Sequence, residues 1–202
     1  GQLGMSHHGT EDVGMMSLLP GMQVFTPADP EEALAVLQYC LAHDGPSYIR
    51  LARRGEPVLY TKASSFDITK IQKVNSADSK ICLLCSGPIL IEGFKAVKAV
   101  NEKGINIELY SVPCIKPIDK QRIIQLCKEK EFIFTLEEHQ ITGGLGSTVC
   151  EIAAELEVPK CRIKRLGLHN EYSSIVGNHD FLCEKYGLSS ERVLNYIIEQ
   201  TK

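Results

Sequence analysis

The stretch that decides the fold is EFIFTLEEHQITGGLGSTVCEIAAELE, Glu131–Glu157. The apolar run at 132–136 is short and bounded, which is typical of a buried strand. Two carboxylates and an imidazole follow at 137–139, and a glycine-rich turn then opens a predicted helix that continues through Glu155. Because strand, turn and helix follow one another directly, the stretch predicts a strand-to-helix unit of a parallel sheet.

The same alternation of strand and helix extends outward from this stretch. Elements of this length imply right-handed crossovers and a mostly parallel sheet that helices cover on both faces. We therefore expect residues 79–202 to form a complete α/β domain of three layers, αβα. The further predicted elements are strands at Ile81–Ser86, Ile105–Ser111 and Cys161–Leu168 and helices at Leu90–Lys103, Asp119–Lys130 and Ser189–Thr201.

Residues 1–62 predict a smaller, partial α/β domain, and residues 63–78 a linker. Two short strands, in GMQVFTPAD and SYIRLA, flank a helix that Asp29 is expected to cap. Two strands leave sheet edges uncovered, so we expect further strands from elsewhere in the chain, from a partner or from upstream sequence. The expected apolar face of the helix comprises Ala33, Leu34, Leu37 and Leu41.

Composition and charge exclude several classes of partner. The formal net charge of -3 provides no basic surface, so we expect no nucleic acid. No apolar run approaches the length of a membrane span, so we expect no membrane, and we expect no signal peptide before Gly1.

The eight cysteines are scattered through apolar segments, as free thiols are in a reducing compartment, which predicts a cytoplasmic protein. Cys82 and Cys85 have the spacing of a metal or redox pair. They lie inside a predicted strand, however, and a metal site would need a second such pair, so we interpret them as core residues.

Glu137, Glu138 and His139 are candidates for a functional role, because groups that face a ligand lie at the carboxyl ends of parallel strands. Alternatively, they cap the glycine turn or pair with a neighbouring chain, and we favour a subunit interface. The turn itself, GGLGST, lacks the third glycine of a dinucleotide fingerprint and the lysine of a P-loop, so phosphate binding there is the minor interpretation.

Two further clusters carry possible chemistry. SHHGTED, residues 6–12, has adjacent histidines and two acids, but adjacent side chains seldom point to one metal, so we predict no metal site. Arg50, Arg53 and Arg54 follow the second strand, where a guanidinium group suits bidentate binding of an anion. A solvated loop is the alternative for these arginines.

Together, these segments resemble the transketolase family of thiamine-diphosphate enzymes. SHHGTED, LLPGMQVFTPADPEEA, DGPSYIRLARRG and TLEEHQITGGLGS occur in the order of the family and at about its spacing, and IKPID resembles its link within the last domain. The resemblance covers nearly the whole chain. It implies that residues 1–62 are the C-terminal portion of a pyrimidine-binding domain and that residues 79–202 are the transketolase C-terminal domain.

The resemblance also assigns roles to residues. His7 aligns with a catalytic-site histidine that reaches the phosphate and hydroxyl groups of the substrate. Arg53 aligns with an arginine that binds the substrate phosphate, and Arg50 and Arg54 are its neighbours in the same role. The family signature at 137–139 is assigned to a dimer contact.

The implied cofactors are thiamine diphosphate and a divalent metal, Mg²⁺, bound mainly by parts absent from this chain. No cofactor-binding residue of the chain itself can be named. The implied partners are a second copy in a homodimer, sugar phosphates, and a missing N-terminal half or separate N-terminal subunit. The chain is then the C-terminal part of a transferase that moves a two-carbon ketol unit between sugar phosphates, and is inactive alone.

Departures from the family pattern leave two alternatives open. Transketolases usually have glutamine and proline after the aligned histidine, where this chain has His8 and Gly9. That difference favours the related deoxyxylulose-phosphate synthases, whereas YIRLARR favours transketolases encoded as separate subunits. A portion of such a synthase and a non-catalytic dimerisation module are therefore the alternatives.

Overall fold

The computed structural model describes residues 3–52, 57–59, 67–157 and 161–201. Apart from a short 3-10 helix at Met5–His7, these residues form α-helices and strands that alternate along most of the chain. In order they are α1 (Asp12–Ser17), β1 (Gln23–Phe25), α2 (Pro30–Ala42), β2 (Ser47–Ile49), β3 (Gln72–Lys73), β4 (Ile81–Ser86), α3 (Leu90–Glu102), β5 (Glu108–Ser111), β6 (Cys114–Lys116), α4 (Lys120–Glu129), β7 (Phe132–Gln140), α5 (Leu145–Ala154), β8 (Arg162–Leu168), α6 (His179–Lys185) and α7 (Ser190–Gln200).

The larger sheet has the strand order β3-β5-β4-β7-β8. The strands β5, β4, β7 and β8 are parallel, and β3 pairs antiparallel with β5 at the edge. Helices α3 and α7 contribute to the hydrophobic cluster on one face, and α4 and α5 to the cluster on the other. The predicted three-layer αβα domain with a mostly parallel sheet is confirmed.

The alternation of side chains along β4 explains why the sheet has two cores. Leu83 and Cys85 belong to the cluster with α3 and α7, and Cys82 and Leu84 to the cluster with α4 and α5. Successive side chains of a strand point to opposite faces, so a strand that is apolar at every position must be covered twice. Cys82 and Cys85 are fully buried on opposite faces, which confirms their interpretation as core residues.

The smaller sheet has the order β2-β1-β6. β1 is parallel to β2, but its other partner, β6, is antiparallel and comes from the second part of the chain. The chain thus supplies one of the strands that residues 1–62 lack. Among the described residues, β2 has no second partner strand.

Helix α2 covers the smaller sheet with one face and leaves its leucine face exposed. Asp29 caps the helix as expected, because its Oδ1 accepts a hydrogen bond from the Glu32 amide at 2.8 Å. Ala35 and Val36 are buried against Phe25 in a third hydrophobic cluster. The predicted apolar face points away from it: Leu34 is 48% exposed, Leu37 49% and Leu41 80%.

Several elements differ from the sequence-based expectation. β7 runs on to Gln140, so the polar residues at 137–139 lie inside the strand and not beyond it. The short helices α1 and α6 were not predicted, because six or seven residues give too little apolar periodicity. β3 forms within the predicted linker, residues 63–78. Among the described residues, no helix is long and apolar enough to cross a membrane.

Candidate functional site

The candidate residues gather where the N-terminal segment, the end of β2 and the end of β7 meet. The Gln140 amide donates to the Thr10 carbonyl at 2.9 Å, which joins the segment after SHHG to β7. Arg50, directly after β2, donates from Nη2 to the carbonyls of Gly9 and Glu138, the latter at 2.7 Å. One guanidinium group therefore ties three separate pieces of the chain together.

Arg50 has further polar neighbours on α1 and β2. Its Nε lies 3.6 Å from Asp12 Oδ2, and the Tyr48 hydroxyl donates to that same oxygen at 2.6 Å. Burial, followed by the hydrogen bond to the Asp12 carboxylate, raises the pKa of Tyr48 to about 12. Arg50 thus has an architectural role within this chain, and its predicted contact with a substrate phosphate stays a prediction.

The two histidines of SHHG have different surroundings. His7 ends the 3-10 helix and is exposed, with its Nδ1 2.9 Å from Ser6 Oγ. His8 is half-buried, and its Nδ1 lies 2.6 Å from Ser173 Oγ. His8 and Arg50 line the same cavity of about 170 Å³, whereas His7 does not line it.

His8 is therefore a candidate residue that the sequence reasoning did not select. The adjacent histidines were a signal, but local sequence did not show which of the two faces Arg50. Arg53, the predicted phosphate ligand, lies outside the described residues, as does Arg54.

Glu137 is engaged within the chain. Its carboxylate accepts hydrogen bonds from the amides of Leu145 at 2.7 Å and Gly146 at 2.8 Å, which are the first residues of α5. Burial raises the pKa of Glu137, while the hydrogen bonds from these two amides oppose the rise. The side chain satisfies helix amides that would otherwise lack a partner.

His139 is also engaged within the chain. Its Nε2 accepts from the Gly14 amide at 3.1 Å and its Nδ1 donates to the Gln140 carbonyl at 2.7 Å, which defines a neutral imidazole. The alternative that these groups cap the glycine turn describes Glu137 well. The dimer contact predicted for Glu137, Glu138 and His139 stays a prediction.

The glycine turn does not fit a diphosphate. The helix amides that an anion would use are bonded to Glu137. A Cβ on Gly144 would overlap Glu137 Oε2, so the turn is closely packed against this carboxylate. Within the described parts of the chain, the acids, histidines and cysteines close enough to share a metal are Glu138, His179 and Cys183, and none of these lies at the turn.

A second, larger cavity of about 540 Å³ lies between α1, β6 and the start of α5. His139 and Lys116 line it, together with the exposed side chains of Met15 and Leu18. Lys116 donates from Nζ to the carbonyls of Ser17 and Leu19, both at 2.7 Å, so its charge holds the end of α1 in place.

Comparison with protein families gives two matches in consecutive parts of the chain. The family described as "Transketolase, pyrimidine binding domain" matches residues 1–56, and "Transketolase, C-terminal domain" matches residues 70–193.

Similar proteins include subunits and sections of larger enzymes. The chain is 29% identical to one of the subunits of an apulose-4-phosphate transketolase from Actinobacillus succinogenes, over 96% of this chain and 62% of that protein. It is 32% identical to "Putative transketolase C-terminal section" of Methanocaldococcus jannaschii, over 100% of this chain and 63% of that protein. Among solved structures, "Split gene transketolase, inactive beta4 tetramer" has a TM-score of 0.85 at 29% identity, over 96% of this chain and 62% of that one. The chain thus spans about three fifths of the length of each of these three relatives.

Proposed function

Since this chain belongs to the transketolase family, we propose that it forms the C-terminal part of an enzyme that transfers a two-carbon ketol unit between sugar phosphates. The observation that carries the proposal is the order of the two domains, a portion of the pyrimidine-binding domain followed by the C-terminal domain, in one chain. The names of its relatives, which describe a subunit and a section, support the same division.

The partial first domain needs a complement. β2 lacks a second partner strand among the described residues, and the leucine face of α2 lies beside the same sheet. An exposed apolar face next to an open strand is what remains when part of a domain is supplied by other polypeptide. We propose an N-terminal half or a separate N-terminal subunit as that complement. Within this chain, we propose that residues 1–62 are the partial pyrimidine-binding domain, residues 63–78 the linker and residues 79–202 the C-terminal domain.

The cofactor of the family is thiamine diphosphate, which supplies the chemistry of two-carbon transfer. The described residues do not fit its diphosphate, because Glu137 fills the turn where helix amides would bind an anion. We propose that the complementary part holds the diphosphate and its Mg²⁺. The isolated chain is then inactive, a proposal that the "inactive beta4 tetramer" of its structural relative supports.

This chain supplies contacts to the substrate. An exposed imidazole, His7, suits exchange of hydrogen bonds with sugar hydroxyl and phosphate oxygens. Arg53 suits a bidentate grip on phosphate, and Arg50 joins the end of β2 to the Glu138 carbonyl of β7. The chain also contributes a homodimer surface, and its eight free cysteines fit a reducing cytoplasm.

The test uses the chain reconstituted with its N-terminal complement. Arg53→Ala should raise KM for sugar phosphates about tenfold or more, and His7→Ala should lower kcat/KM by a similar factor. His169→Ala and Arg192→Ala, which change side chains of the same types elsewhere, serve as controls. Unchanged turnover and affinity in both test variants would favour a non-catalytic dimerisation module.

The second candidate, a deoxyxylulose-phosphate synthase portion, is favoured by the SHHG sequence, in which His8 lines the same cavity as Arg50. The two enzymes differ in donor, because the synthase consumes pyruvate. Product formation by the reconstituted enzyme that depends on pyruvate would select the synthase, and product formation from a ketose phosphate and an aldose phosphate without pyruvate would select the transketolase.

A further inference from the structure

A cluster of three side chains with different donor atoms lies where β7 meets α6, away from the glycine turn. Glu138 projects from β7, and His179 and Cys183 lie one helical turn apart on α6. One ligand atom from each residue, a carboxylate oxygen, an imidazole nitrogen and a sulfur, lies within 4.8 Å of the others.

The distances within the cluster are close to those of metal ligands. Cys183 Sγ lies 3.6 Å from His179 Nε2 and 3.8 Å from Nδ1. Bond lengths of zinc to sulfur and nitrogen place two tetrahedral ligands about 3.5 Å apart. Glu138 Oε1 lies 2.5 Å from His179 Nε2, which is a hydrogen-bond distance. If both atoms bound one ion, this distance would increase by about 1 Å, which rotation of the carboxylate allows.

The orientation of the imidazole ring fits one coordinating nitrogen. Glu138 Oε1 lies against His179 Nε2, and Nδ1 lies 3.9 Å from Asp180 Oδ1, while Cys183 Sγ lies at similar distances from both ring nitrogens. In metal sites the second nitrogen of a ligating histidine is usually turned toward a carboxylate or carbonyl that fixes the ring. Asp180, whose side chain is 91% exposed, is the carboxylate near Nδ1 and could approach it by rotation of its side chain.

The cluster borders the cavity of about 170 Å³ that His8 and Arg50 also line. A tetrahedral ion with three protein ligands keeps one position for water or another ligand, and the cavity gives that position room. Leu182 and Leu188 line the same cavity, so the ligands are partly enclosed by apolar groups.

We propose that Glu138, His179 and Cys183 bind one thiophilic divalent cation of the zinc class. Carboxylate, imidazole and thiolate are a mixed donor set that zinc accepts, whereas the hard oxygen ligands preferred by magnesium are a minority here. Binding displaces the proton shared by His179 and Glu138 and the proton of the Cys183 thiol, and both pass to the buffer. The ion would join α6 to β7. Arg50 binds the same position of β7 through the carbonyl of Glu138.

The neighbouring charges include both signs. Burial opposes ionisation of Glu138, but the hydrogen bond to His179 and the charges of His179 and Arg50 outweigh it and lower the pKa of Glu138. Glu92 is an acidic neighbour of both Glu138 and Cys183. A doubly charged ion replaces the proton of His179 next to these carboxylates. Arg50 contacts the backbone oxygen of Glu138, which leaves the carboxylate to the ligand cluster.

The test is a Co²⁺ titration of tag-free, metal-stripped chain, followed by displacement with Zn²⁺. We expect one equivalent of Co²⁺ with the near-ultraviolet absorption that marks a thiolate ligand, and loss of that absorption when Zn²⁺ is added. Cys183→Ser should abolish the thiolate absorption, and His179→Ala should weaken Zn²⁺ binding at least tenfold. Cys161→Ser and His169→Ala, in which the same residue types change outside the cluster, should behave as the parent chain does.

The second measurement is thermal unfolding, which also shows whether each variant is folded. Excess Zn²⁺ should raise the thermal midpoint of the parent chain and of both controls, because a ligand that binds the folded state stabilises it. No thiolate absorption in the parent chain, or absorption that survives Cys183→Ser, would overturn the proposal. Neither readout depends on enzyme activity, so a negative result leaves the proposed function untouched.

Discussion

At the residue scale, one buried carboxylate organises the joint between β7 and α5. Glu137 is 3% exposed and binds two amides at the start of α5, and the closely packed Gly144 leaves no room for another anion. A glycine-rich turn before a helix often indicates phosphate binding. Here an internal side chain takes that position, so the turn stabilises the fold of this chain.

We expect Glu137→Ala to lower the free energy of unfolding by about 2–4 kcal/mol, because two buried amides lose their acceptor. Glu131→Ala, at an exposed position just before the same strand, should change it by less than about 0.5 kcal/mol. Urea denaturation of the two variants measures the difference. Equal stabilities would mean that the amides find other partners.

Glu108 is a second buried carboxylate and predicts a pH dependence. Its oxygens lie 2.7 Å from Lys130 Nζ and 3.1 Å from Lys73 Nζ, and the Tyr110 hydroxyl donates to it. Burial opposes ionisation, but these hydrogen bonds outweigh it and lower the pKa of Glu108 from 4.5 to about 2. A lowered folded-state pKa stabilises the fold above the unfolded pKa, and this stabilisation is lost as pH falls toward 2.

We therefore expect Glu108→Gln to cost about 3–5 kcal/mol at neutral pH, because Lys130 is left buried without its carboxylate. The difference from the parent chain should shrink as pH falls from 4.5 toward 2. Glu155→Gln, which removes an exposed pair with Lys120, should cost less than about 1 kcal/mol. Denaturation curves at several pH values test this, and a constant difference across the range would contradict it.

At the scale of elements, helix α2 shows what a sequence can and cannot predict. Its start was predictable, because Asp29 followed by a proline and two acids is a local capping signal. The alternation of strands and helices in residues 79–202 was also predictable from local sequence, since the spacing of apolar residues within each segment indicates whether it is a strand or a helix. Which face of α2 this chain buries was not predictable, because both faces carry apolar residues and only the tertiary contacts choose Ala35 and Val36.

The candidate site was less predictable than the fold. Arg50 meets the carbonyl of Glu138 across 88 positions of sequence, and His139 meets the Gly14 amide across 125. No local pattern encodes such pairs. β6 was not predicted for a similar reason, because it pairs with β1, which belongs to the other part of the chain.

The two faces of α2 should respond differently to substitution. Val36→Ala should lower the free energy of unfolding of this chain by about 2–3 kcal/mol, because it opens space in the third hydrophobic cluster. Leu41→Gln should change it by less than about 0.5 kcal/mol, since the side chain is 80% exposed. A triple variant, in which Leu34, Leu37 and Leu41 are all replaced by glutamine, should bind the N-terminal complement at least tenfold more weakly than the parent chain does. Unchanged binding of this triple variant would show that the complement lies elsewhere.

At the scale of the whole molecule, a complete three-layer domain is joined to part of another. The two are connected by β6, by Arg50 and by the segment at Thr10, so the partial domain is held firmly against the complete one. Among the described residues, β2 has one partner strand and Leu34, Leu37 and Leu41 of α2 are exposed, which leaves this side of the partial domain open. This open side is where we propose that the N-terminal complement binds, and the chain spans about three fifths of two relatives named as a subunit and a C-terminal section.

The most direct test of the central claim is calorimetric titration of the purified 202-residue chain with thiamine diphosphate and Mg²⁺, alone and after reconstitution with its N-terminal complement. The account predicts no binding to the chain alone and stoichiometric binding, with two-carbon transfer, in the reconstituted enzyme. Tight binding of thiamine diphosphate to the chain alone would contradict it.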